Sequence, residues 1–180
     1  MKSNIIPLAQ AVEMKREYKN TISPLIENYK STKDEKYAAT EFMFIDLQTL
    51  KDYIKKLEEV ENLNNKVISG VRIYFSAYPN AYIIHTSGEK PKYKGRESIF
   101  LAPTIEVKST SEVSKAHPAL CHLPFCINPD INGNNEFYGT FEIIEDLLYK
   151  HDEKPTNITN SLENKTSIIL NDINLTPPPK

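Results

Sequence analysis

The chain has 180 residues and a formal net charge of −2 from 22 basic and 24 acidic side chains, so it suits one domain with an appendage and carries no global field to attract nucleic acid or anionic lipid. A hydrophobic fraction of 39% lies below the globular average, which predicts a folded centre with polar extensions. Residues 1–20 lack the apolar stretch of a signal peptide, and no window approaches the roughly 18 apolar residues of a membrane span. The expected location is therefore cytoplasmic, with both cysteines reduced.

In residues 8–30 an apolar stripe (Leu8, Ala11, Met14, Tyr18, Ile22, Leu25, Tyr29) recurs in steps of three and four, which predicts helix. Ser23-Pro24 reads as an N-cap followed by a first-turn proline, so a kink or two short helices are expected there. This N-terminal helical segment covers 1–36. The run "EFMFI" reads as a short strand, and Asp46 caps the helix that follows, "LQTLKDYIKKLEEVE". Its expected buried stripe is Leu47, Leu50, Ile54 and Leu57.

"VRIYFSAY" alternates with period two, placing Val71, Ile73, Phe75 and Ala77 on an inward face and Arg72, Tyr74, Ser76 and Tyr78 outward. "AYIIHT" is a further strand candidate. "ESIFLAPTIEV" reads as a strand in which Pro103 marks an edge or bulge. Residues 108–135 show turn chemistry without periodicity, which predicts a long ordered loop. "TFEIIEDLLYK" then reads as a last helix with acids in its first turn. The segment 152–180, rich in Asn, Thr, Ser and Pro, reads as a flexible tail, although "TSIIL" could add to a sheet edge.

Together these elements predict an α+β fold for residues 37–151. A small antiparallel sheet is built from 41–45, 67–78 and 98–107, with 82–86 as a further strand. The helix packs on one face, and the N-terminal helices precede it. In an alternative arrangement those helices form a separate oligomerising bundle. The expected core is Phe42, Phe44, Leu50, Ile54, Leu57, Val71, Ile73, Phe75, Ile99, Leu101 and Ile105.

The combination of Gly70, Arg72, Ile73, Tyr74 and Phe75 in one strand, Pro103-Thr104 in a later one, and then Cys121 and Cys126 among prolines resembles a family of small, uncharacterised Bacteroidota proteins. Those proteins share a G-[IV]-R-I-Y-[FY] strand and a later Cys/Pro segment. The resemblance spans residues 40–130 and implies a shared fold, with no catalytic residues attached to it.

The stretch "HPALCHLPFC" poses the main chemical question. A zinc ion would draw on His117, Cys121 and Cys126 with a distant residue such as His85, but neighbouring Cys121 and His122 point apart in most backbones and the spacing is loose for a structural zinc site. The preferred reading is a proline-stiffened loop whose cysteines pack as small apolar groups, with no cofactor. "DINGNNEF" opens like a calcium loop at Asp130, Asn132, Asn134 and Glu136, but it puts Asn135 where Gly is needed and Phe141 where a bidentate acid is needed. No glycine-rich phosphate loop and no G-x-S-x-G elbow occur. The basic run Lys90, Lys92, Lys94 and Arg96 around Tyr93 reads as a solvated turn ahead of a nucleic-acid contact.

Without an assembled catalytic set, the expectation is a non-catalytic protein-interaction or assembly module. Its anchors are the outward Arg72, Tyr74 and Tyr78, and its partner is another protein or a second copy. A zinc protein or enzyme centred on 117–126 is the alternative.

Overall fold

The structure, a computed structural model, describes residues 5–32, 36–78, 95–108, 118–131, 133–148, 164–171 and 174–176. In chain order its elements are α1 (Leu8–Lys30), β1 (Phe42–Phe44), α2 (Leu47–Asn64), β2 (Gly70–Ala77), β3 (Glu97–Glu106), β4 (His122–Pro129), β5 (Gly139–Ile143) and β6 (Asn174–Thr176). Short 3-10 turns lie at Pro118–Cys121 and Glu145–Leu147. The fold is α+β, as expected: two helices precede a four-stranded antiparallel sheet of order β2-β3-β4-β5, and β1 and β6 form a separate two-stranded pair. The predicted strand at 82–86 lies outside the described residues.

The chain divides into two compact units. The first comprises Met1–Phe44, Ser76–Ser98 and Ile173–Lys180. Its organising group is the Glu97 carboxylate, which accepts hydrogen bonds from Lys30 Nζ at 2.7 Å, the Tyr37 hydroxyl at 2.5 Å and the Thr40 hydroxyl at 2.9 Å. Burial alone would raise its pKa, but these three donors overcome it and hold the carboxyl at about 2. Arg96 adds a bond to the Ala38 carbonyl at 2.9 Å and lies 4.6 Å over the Tyr37 ring. The side of α1 that packs is therefore polar. Lys15 pairs with Glu41, Tyr18 donates to the Thr40 carbonyl, and Glu27 receives the Ala39 amide. Leu8, Met14, Ile22, Leu25 and Tyr29 of the predicted stripe are exposed. Pro24 sits inside one continuous helix instead of dividing it, since a proline forfeits one backbone bond while the turns on either side can persist.

The second unit comprises Ile45–Phe75 and Ile99–Asp172 and holds the apolar core. The Asp46 carboxylate caps α2 as expected, accepting from the Gln48 and Thr49 amides at 2.8 and 3.2 Å. The buried stripe of α2 is Tyr53, Leu57 and Val60, and Leu47 and Ile54 are exposed. The helix is rotated from the expected face because the Tyr53 hydroxyl finds partners inside: the Ile168 carbonyl at 3.0 Å and the Leu101 carbonyl at 3.3 Å.

Two prolines shape the centre of this unit. β3 and β4 pair at Glu106↔His122, Ile105↔Leu123 and Thr104↔Pro124, and the pairing stops there. Pro103 and Pro124 supply no amide hydrogens, so the ladder fails and the strands diverge. Residues 166–170 fill the gap: Thr166 bridges Ile127 of β4, and Leu170 bridges Leu101 of β3. Ile168, between them, is buried. Part of the segment read as a flexible tail, the "TSIIL" stretch, is thus built into the sheet.

Residues 108–135 do not form one loop. β4 lies within them, and Pro124, Phe125, Cys126 and Ile127 are all buried. The predicted helix at 140–150 is instead strand β5 followed by a 3-10 turn, with Phe125 and Phe141 stacked at 4.2 Å.

Candidate functional site

In β2 the period-two alternation is present with its faces reversed. Val71, Ile73 and Phe75, expected in the core, are 39%, 60% and 93% exposed. The neighbouring positions turn inward because they can be satisfied there. Tyr74 stacks on Phe100 with ring centroids 4.9 Å apart, and its hydroxyl donates to the Leu147 carbonyl at 3.0 Å. A guanidinium nitrogen of Arg72 donates to the same hydroxyl oxygen at 3.4 Å. Of the expected interaction anchors, Arg72 and Tyr74 are thus half-buried and engaged within the chain. Tyr78 continues the strand, and its amide donates to the Arg96 carbonyl at 3.0 Å.

β2 also ends the sheet order. Tyr78 directs both its amide and its carbonyl across the hairpin, to Arg96 and Gly95. Strand alternation turns the even-numbered residues Ser76 and Tyr74 the same way. The backbone groups of Ile73 and Phe75 therefore face outward. The result is a regular edge carrying its largest apolar side chains on its exposed face.

The 117–126 stretch is divided by the fold. His117, like His85, lies outside the described residues. Cys121 closes a 3-10 turn, and Cys126 is buried in β4 with its Sγ 3.7 Å from the Glu142 carbonyl oxygen. Burial pushes the Cys126 thiol above its ordinary pKa, which disfavours the thiolate that metal binding or nucleophilic attack requires. His122 pairs in register with Glu106, and its Nδ1 is buried without a hydrogen-bond partner. Among the described residues, no three of His, Cys, Asp and Glu are grouped as a metal site.

The calcium-like stretch is the β4–β5 connection. Asp130 and Tyr138 close it through the Asp130 amide at 3.0 Å, and the Asn135 side chain accepts from the Phe137 amide at 2.9 Å. At Gly139 a Cβ would meet the Asn128 carbonyl oxygen at 2.0 Å, so only glycine fits. Asn64, which sequence reasoning missed, fastens α2 to this connection: its amide donates to the Phe137 carbonyl at 2.8 Å and its carbonyl accepts from the Gly139 amide at 2.9 Å. A cleft of about 450 Å³ lies beside it, lined by Asn64, Asn128, Asp130, Tyr138 and Thr140. Asn64 and Asn128 already bond to groups of the chain there, Asn128 to Glu142 at 2.8 Å. Of the basic run, Arg96 is described and is engaged within the first unit.

No described helix is long and apolar enough to cross a membrane. The chain matches no family model, no curated protein and no solved structure.

Proposed function

We propose that this protein is a non-catalytic protein-interaction or assembly module whose contact surface is the outer edge and exposed face of β2. The observation that carries the reading is the exposed row Val71, Ile73 and Phe75 on a regular edge strand. An edge presents unsatisfied amides and carbonyls in a fixed array, and apolar side chains beside it add area that association removes from water. Arg72 and Tyr74, the anchors expected from sequence, hold the strand from behind and take a supporting part.

The test is affinity capture from native lysate with wild type and with Ile73→Ser/Phe75→Ser, combined with elemental analysis of the purified chain. The expected result is a stoichiometric protein partner that the double variant loses at an unchanged melting temperature. A chain that retains no macromolecule and carries one equivalent of zinc, lost on Cys121→Ser, would contradict the reading.

A further inference from the structure

We propose that the partner at this surface is a second copy of the chain, bound through β2 edge to edge as an antiparallel, twofold-symmetric pair. The inference deepens the interaction-module reading and rests on it. The pair would join four strands from each copy into one continuous sheet.

The first ground is the lack of edge protection. Natural edges are blunted by lysine, proline, bulges or inward charges. Residues 71–75 contain no lysine, proline or acid, and they run as regular strand.

The second ground is that the strand is complementary to itself in one register. A twofold axis pairs residues whose numbers add to a constant, and outward-facing Ile73 and Phe75 must meet outward-facing residues for the amides to bond. The axis must then pass through a residue and not between two, because a one-residue slip would exchange the faces. An axis at Arg72 sets two guanidinium groups opposite each other, which like-charge repulsion disfavours. An axis at Tyr74 brings two tyrosines into the closest cross-strand position, although each ring is already committed to Phe100 and Leu147. An axis at Ile73 resolves both conflicts. Ile73 meets Ile73 of the partner subunit in a doubly hydrogen-bonded pair. Val71 covers Phe75 of the partner subunit, and Arg72 lies opposite the aromatic ring of Tyr74 of the partner subunit. The exposed row of each copy then covers that of the other.

The experiment measures mass by light scattering over a concentration series, for the full chain and for Ile73→Pro, which removes the central outward amide. Wild type should show twice the chain mass, and Ile73→Pro the single mass with an unchanged circular dichroism spectrum. In a Cys121→Ser background, Ile73→Cys should oxidise to a covalent dimer, since its Cα atoms sit about 5.5 Å apart across the axis. Phe75→Cys should not, because its counterpart lies roughly 13 Å away along the strand. If Ile73→Pro fails to fold, the cysteine pair decides. A single mass at every concentration overturns the dimer, and so does a double mass that persists in folded Ile73→Pro. Equal crosslinking of the two cysteine variants overturns the register. If the chain is monomeric yet captures a protein that Ile73→Ser/Phe75→Ser loses, the second-copy assignment fails and the interaction-module reading stands.

Discussion

In β4 the run Pro124–Ile127 is buried throughout, with Phe125 and Ile127 at 0% exposure, whereas β2 leaves Phe75 at 93%. The two strands belong to one sheet and have similar apolar content, so composition does not decide which one forms the core. Position does. β4 has neighbours on both sides and is covered on both faces, as the interior strand of a layered fold must be. β2 has β3 on one side and, among the described residues, no strand on the other. It secures itself with Tyr74 alone and leaves its aliphatic row outside.

The sharpest way to break this contrast is at the centre of β4. Phe125→Ala removes a fully buried ring that stacks on Phe141 and should cost about 3–5 kcal/mol in denaturant unfolding. A loss no larger than that of a surface substitution would place the core elsewhere. Next in size is the hydroxyl behind the split in the ladder. Tyr53→Phe deprives the Ile168 and Leu101 carbonyls of their shared donor and should cost about 1–2 kcal/mol by the same measurement. Burial has pushed this hydroxyl up to about 12, so the penalty should not vary between pH 6 and 9.

Acid probes a different kind of stability. The Glu97 carboxyl sits at about 2 in the folded chain against an ordinary 4.5, so its contribution is complete above pH 4.5 and is lost as pH falls toward 2. Unfolding followed through that window should show stability declining with acid, and Glu97→Gln should flatten the slope. An unchanged slope would mean that the Lys30, Tyr37 and Thr40 bonds do not persist in solution. The smallest effect belongs to the edge: Ile73→Ser should change the stability of the isolated chain by no more than about 0.5 kcal/mol. A large loss would show that β2 buries this row within its own chain.

How much of this was legible depends on what kind of information each segment carries. The period of β2 was plain, but a period of two does not say which face is covered. That depended on a stacking partner, Phe100, and on a carbonyl, Leu147, 73 residues away from Tyr74. β4 was illegible for the opposite reason. A strand buried on both faces has no alternation to read, and prolines at 124 and 129 imitate loop chemistry. Pro103 was correctly read as a fault in its strand, but the consequence was non-local, because the gap it helps open is filled by residues 166–170. The Asp46 cap was read correctly because a cap is local. Asn64 could not have been found from its neighbours alone, since its partners Phe137 and Gly139 become adjacent only in the fold.

Amide hydrogen exchange of β2, followed residue by residue at low and high protein concentration, tests the surface most directly. The Ile73 and Phe75 amides should exchange fast at low concentration and gain protection as concentration rises, while the buried Phe125 and Ile127 amides of β4 stay slow at both. If Ile73 and Phe75 are equally protected at both concentrations, or equally unprotected, β2 is not the surface through which copies of this chain associate.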